Sequence, residues 1–162
     1  KSCLLLNGGL FPETHGPLLI QKLLISPLGK WVAQLTSKKT FQRNMTRIFS
    51  EAHPPSTELI DDFWYLLTYK EGVRVLPRLI RYMAERSVNR ERWVGALQNA
   101  KTPIRLINGN QDPISGLHMT QRYAELIPQP DIIHLSNLGH YPHVEAPEEV
   151  LHHVILFLNQ NT

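Results

Sequence analysis

A chain of 162 residues, 42% hydrophobic and 19% charged, is long enough to bury one ordinary core. Its 12 prolines and 9 glycines are spread along the chain, and this mixture excludes disorder, collagen-like repeats and a coiled coil. The 17 Lys and Arg against 14 Asp and Glu raise the pI to about 9.1, but the excess is uneven: +6 over residues 1–100 and −3 over 101–162. The basic residues stand singly at helical spacing, Arg43 with Arg47 and Arg74 with Arg78 and Arg81, as solvated helix faces do. No basic run or RNA-binding aromatic motif accompanies them, so no nucleic-acid partner is expected. Cys3 is the only cysteine, which leaves no intrachain disulfide and no cysteine-based zinc site. No apolar run approaches the roughly 18 residues of a membrane span. Leu4-Leu5-Leu6 breaks at once into Asn7-Gly8-Gly9, too short for a secretory segment, so a soluble cytoplasmic domain is expected.

Residues 2–7 read as a short, fully apolar strand ended by Gly8-Gly9, of the kind found inside a parallel sheet covered on both faces. Residues 16–97 read as short helices. Leu18, Leu19, Lys22, Leu23 and Ile25 form one amphipathic segment, stopped by Ser26-Pro27. Trp31, Val32 and Leu35 mark a second; Phe41, Met45, Ile48 and Phe49 mark a third. After His53-Pro54-Pro55, Ser56 is a good N-cap for a helix with the stripe Leu59, Ile60, Phe63, Leu66 and Leu67, expected to end at Gly72. Leu76, Ile80 and Met83 mark the next helix, with Pro77 in its first turn, and Arg90 to Gln98 a last one.

From residue 101 the pattern changes. Strand 104–107, helix 117–127, strand 131–135 and a helix beginning at Pro147 alternate as in an α/β domain. Side chains that do chemistry in such sheets sit in loops beyond the carboxyl ends of strands. Asp112 follows one of these strands and His140 the other. An imidazole that takes a proton must be held in one tautomer, and a carboxylate does this. Asp112 and His140 are the pair placed to act so from adjacent strands.

Gly109-Asn110-Gln111-Asp112-Pro113 and the run from Gly139-His140-Tyr141-Pro142 through Glu145-Ala146-Pro147-Glu148 resemble the acid and histidine segments of the α/β-hydrolase fold. The acid loop of that family reads Gly-x-x-Asp-Pro, and its histidine loop Gly-His followed by an aromatic residue and Glu-x-Pro. Residues 5–15 and 92–97 are further similar to the branch of the mesoderm-specific transcript family and its bacterial relatives, neighbours of epoxide hydrolases and haloalkane dehalogenases. The resemblance implies an α/β fold: the C-terminal half of a hydrolase domain, with about three mostly parallel strands and a helical lid insert. Residues 1–9 would be the sixth strand of the sheet, 10–100 the lid, and 101–162 the closing strands and helices. It implies catalysis through a nucleophile, His140 as base and Asp112 as its orienting acid, on a small apolar ester, epoxide or halide. Phe11, Trp64, Tyr65, Tyr69 and Trp93 would line the pocket between lid and sheet.

The family's Gly-x-Ser-x-Gly or Gly-x-Asp-x-Gly elbow and its His-Gly oxyanion loop do not occur in these residues. Ser2, Ser26, Ser50 and Ser115 do not stand on such an elbow. Some relatives keep an alternative acid after the first strand; Asn7 cannot orient a histidine as a carboxylate does, and Glu13 reads as a turn or cap residue. The expected partners are a small-molecule substrate and either the missing N-terminal half of the fold or a second copy joined through an exposed sheet edge. The alternative is a catalytically incomplete chain that acts only in assembly. No cofactor is expected. His152 and His153 face different directions on a helix, and His140 and His143 lack a third ligand, so no metal is expected either.

Overall fold

In the computed structural model, which describes residues 1–15 and 19–161, three strands pair in parallel in the order β1-β2-β3. They are β1 (Cys3–Leu6), β2 (Ile104–Gly109) and β3 (Asp131–Leu135). Leu5, Leu106 and Ile132 lie side by side across the sheet, and so do Leu6, Ile107 and Ile133 on the neighbouring row. Because side chains alternate along a strand, these two rows face opposite ways. The first row packs with Phe11, Val94, Met119, Tyr123 and Ile127. On the other side Leu4, Ile107 and Ile133 pack with Leu138, Val150 and Val154. Both faces are therefore covered, which explains why the strands are apolar without alternation.

The helices on the first face are α7 (Arg90–Gln98) and α8 (Leu117–Leu126), and on the second α10 (Pro147–Gln160). Between β1 and α7 run α1 (Leu19–Ile25), α2 (Gly29–Gln34), α3 (Lys38–Thr46), α4 (Thr57–Thr68), α5 (Leu76–Leu79) and α6 (Tyr82–Val88). Of the first amphipathic segment, Leu18 lies outside the described residues. The Ser56 hydroxyl accepts the Leu59 N–H at 3.1 Å, the N-cap bond expected of it, and Ser37 caps α3 in the same way through Thr40. Met45, Ile48, Phe49 and Ile60 form a separate small core, joined by Phe63, Ile114 and Tyr141.

Four details differ from the sequence expectation. Helix α4 ends at Thr68 rather than Gly72, because Lys70 and Glu71 take positive φ and a 3-10 stretch follows over Tyr69–Val75. The helix expected around Leu76 to Met83 is split into α5 and α6. A short additional helix, α9 (Pro142–Glu145), turns the chain between the histidine loop and α10. Trp31 and Leu35, expected to form an apolar stripe on α2, are exposed; that helix buries Gly29 and Ala33 instead. No helix among the described residues is long and apolar enough to cross a membrane.

Candidate active site

The carboxyl ends of the strands bring three loops together. Asn7 ends β1 with φ of 38°, a left-handed conformation that asparagine tolerates better than most residues. This turn directs its amide under the next two loops. Asn7 Oδ1 accepts the Gly109 N–H at 2.7 Å, while Nδ2 donates to Gly139 O and to Asp112 Oδ2, each at 3.1 Å. Gly109 and Gly139 pass so closely that a β-carbon on Gly109 would overlap the Gly139 carbonyl oxygen. A β-carbon on Gly139 would stand 2.6 Å from Ile48 O and Ser50 N. The acid and histidine loops thus meet backbone to backbone, and glycine is required at both positions.

Asp112 is buried beneath His140, and His140 Nδ1 lies 2.7 Å from Asp112 Oδ2. The same oxygen accepts from the Ser115 hydroxyl at 2.6 Å, and Oδ1 accepts the Ile114 N–H at 2.8 Å. Burial alone would push the Asp112 pKa up; the His140 hydrogen bond and charge, helped by Ser115 and Ile114, outweigh it and leave the carboxyl below its usual range. Asp112 is therefore ionised at neutral pH and only accepts. The bond to His140 then requires a proton on Nδ1, which leaves Nε2 as the basic nitrogen. This division of roles is the one in which an imidazole accepts a proton from a nucleophile or a water.

The histidine loop is held from the opposite side by Glu145. Its Oε2 accepts the Gly139 and Ser50 N–H groups, both at 2.9 Å, and its Oε1 accepts the Tyr141 N–H at 3.2 Å. His140 N–H donates to Ile48 O at 2.8 Å. The segment after α3 is thereby fastened to the loop that carries the base.

His140 opens into a cavity of about 460 Å³ whose wall includes Gly9, Leu10, His15, Tyr82, Arg86, Trp93, Leu97, Ile114 and Ser115. Of the five aromatic residues expected to line a pocket, Trp93 is in this wall. The other four are placed elsewhere. Phe11 is fully buried in the sheet core against Tyr123, because the chain turns inward directly after Leu10. Trp64 packs on Phe41 between α3 and α4. Tyr65 and Tyr69 are exposed and lie against each other, with ring centroids 5.9 Å apart. Glu13 is committed to Arg90 and Arg122, and the Arg90 hydrogen bond lowers its pKa to about 2. Among the described residues no cluster of three or more His, Cys, Asp or Glu is arranged to hold a metal.

Sequence reasoning missed Asn7, Ser115 and Glu145 as positioning residues. A signal existed for each: Asn7 ends the first strand, Ser115 stands three residues after the acid, and Glu145 belongs to the histidine motif. Arg86 and His15 gave no signal at all.

Three parallel strands sandwiched by helices, with an acid after the second and a histidine after the third, are the α/β-hydrolase fold, and they match about half of such chains. A haloalkane dehalogenase variant from Bradyrhizobium elkanii superimposes with a TM-score of 0.73 at 14% identity, over 97% of this chain and 58% of that one. Two homologues are closer in sequence. The Mycobacterium tuberculosis protein LipZ is 38% identical over 148 residues, 91% of this chain and 51% of LipZ. The mesoderm-specific transcript protein of Mus musculus is 35% identical, with 98% of this chain and 49% of that protein covered. The chain thus spans about half the length of the curated relatives it matches. No family model matches it.

Proposed function

We propose that the chain supplies the base and the orienting acid of a hydrolase that acts on a small ester, epoxide or halide. The observation that carries this reading is the 2.7 Å contact of His140 Nδ1 with the buried, ionised Asp112, with His140 facing a cavity partly walled by Leu10, Trp93, Leu97 and Ile114. His140 Nε2 takes the proton of a hydroxyl nucleophile, or of the water that attacks an ester formed on a carboxylate nucleophile. Asp112 stabilises the imidazolium that results. The helical segment ahead of α7 serves as the lid over this cavity. The hydrolase name of LipZ and the dehalogenase activity named for the structural neighbour support the same class of chemistry.

The nucleophile in this reading comes from a segment that pairs along β1, whose outer edge has no strand partner among the described residues. That segment is the half of the fold that carries the elbow, which these residues do not contain. Fusion of the part of LipZ outside the match ahead of Lys1, the order that nucleophile, acid and histidine require, tests it. Hydrolysis of p-nitrophenyl hexanoate by the fusion, reduced by about 10³-fold or more in His140→Gln, is expected. Turnover indifferent to His140→Gln, or none in a folded fusion, would refute the reading.

A further inference from the structure

The wall of the His140 cavity holds a cation without a counter-ion among the described residues. Arg86, on α6, is 6% exposed. One of its guanidinium nitrogens donates to the Gly9 carbonyl, and its Nε, also buried, has no hydrogen-bond partner. Its guanidinium carbon sits 5.3 Å from the centre of the Tyr82 ring, so one face of the group is covered by an aromatic ring. Arg90, Arg105 and Arg122, all less buried, each hold a carboxylate. Arg86 forms no ion pair among the described residues. A buried guanidinium keeps its charge, and desolvation makes such a charge costly unless an anion meets it.

The described surroundings supply no such anion. Asp112, the carboxylate beneath His140, is already engaged by His140, Ser115, Asn7 and the Ile114 N–H, and its side chain is sealed from the cavity. His15, on the same wall, is no anion, and burial and the adjacent Arg86 charge hold its pKa below the usual histidine range. Gly9 leaves room for the guanidinium: a β-carbon there would occupy the space of its terminal nitrogen. The result is a cavity with one fixed positive charge, one basic imidazole and otherwise mainly apolar walls.

We propose that this cavity binds a small molecule carrying a carboxylate, with Arg86 as its counter-ion and His140 facing the bond to be broken. The part that names the breaking bond rests on the hydrolase reading above; the carboxylate preference does not. The substrate class narrows from neutral esters to those that keep a free acid group at one end, such as a half-ester of a dicarboxylic acid. Guanidinium binds carboxylate through paired N–H donors, and a dry apolar site strengthens that contact.

The test is a titration of the protein at pH 7.5 with hexanoate and with hexanamide, which match in shape and differ in charge. Affinity comes from calorimetry, and location from the NMR shifts of the His15 and His140 ring protons. Hexanoate is expected to bind at least tenfold more tightly than hexanamide and to move both rings. Arg86→Met should abolish that preference, and Arg86→Lys should keep part of it. Equal affinities for acid and amide, no saturable binding, or a preference that survives Arg86→Met in a folded variant would each overturn the proposal. The acid-to-amide contrast in the unaltered protein decides the matter even if Arg86→Met does not fold. Acid-selective binding without any His140-dependent turnover in the LipZ fusion would sink the hydrolase reading and spare this one. His140-dependent turnover without acid selectivity would do the reverse.

Discussion

The side-chain amide of Asn7 donates to the Asp112 carboxylate oxygen that also holds His140, at 3.1 Å. A residue at the end of the first strand therefore fixes an acid 105 positions later. Its other bonds, to Gly109 and Gly139, join the two loops on either side of that acid.

Asn7→Leu removes this amide and leaves the Gly109 N–H buried without an acceptor. A loss of about 3 kcal/mol in stability is expected on the usual cost of orphaned buried groups. Asn7→Asp is the sharper experiment, since it sets a second carboxylate against Asp112 and should raise the Asp112 pKa by about one unit or more. Carboxyl carbon NMR across a pH series reads this directly, and an unmoved Asp112 titration would contradict the contact.

Gly109→Ala forces a β-carbon into the Gly139 carbonyl, which is backbone and cannot rotate away. Destabilisation of about 2 kcal/mol or more is expected from this overlap. Gly95→Ala is the control, because nothing lies within 4 Å of a β-carbon there; as a helical position it should gain stability slightly. Chemical denaturation of the two variants, if it gave equal midpoints, would refute the close approach of the loops.

Glu145→Gln replaces a carboxylate that accepts three backbone N–H groups with an amide that has a single acceptor oxygen. About 2 kcal/mol of stability should be lost, as charge-assisted bonds are stronger than neutral ones. The loss is expected to appear locally as faster hydrogen exchange at Ser50, Gly139 and Tyr141. Exchange unchanged at Ser50 would show that the segment after α3 is held by other contacts.

Acidification should act in two stages. His15 has its pKa lowered by burial and by Arg86, so below about pH 6.5 the unfolded chain binds a proton that the folded one refuses, and stability falls as the pH drops through that range. Asp112 and Glu13 have lowered pKa values, and their stabilisation is full above about pH 4.5 and lost as the pH falls through their folded values, which for Glu13 is about 2. Denaturant midpoints measured from pH 8 to pH 3 should show both slopes. His15→Gln is expected to flatten the first and leave the second; a first slope unchanged in that variant would assign it to another histidine.

Asp112 and His140 were legible because each stands in the loop beyond the carboxyl end of a strand whose apolar run is plain in the sequence. Helix α10 was legible from Pro147 and its apolar stripe, and α7 matches its expected ends, Arg90 and Gln98. Of the five aromatic residues expected at the cavity, Trp93 alone stands in its described wall. Periodicity tells which face of a helix is apolar and not what that face meets, so Trp64 finds Phe41, and Tyr65 and Tyr69 find each other, away from the cavity. The end of α4 was hidden because Lys70 and Glu71 adopt positive φ without a sequence marker for it. Asn7 acquires its role from strand order alone: only with β1 beside β2 does a side chain after Leu6 reach Asp112. Arg86 is an ordinary arginine until α6 is folded over Gly9.

The contact of Gly109 with Gly139 has a consequence for anyone who borrows this site. The two loops touch through atoms that no side-chain substitution can reshape, and Asn7 bonds to both. Their geometry is hence inherited as a set. A graft of the histidine loop into another parallel sheet would carry only its sequence, while its position would stay behind with the acid loop and the end of β1. Moved singly, each segment is only a turn; the site travels as the three segments together with the stretch from Ile48 to Ser50 that holds the histidine loop.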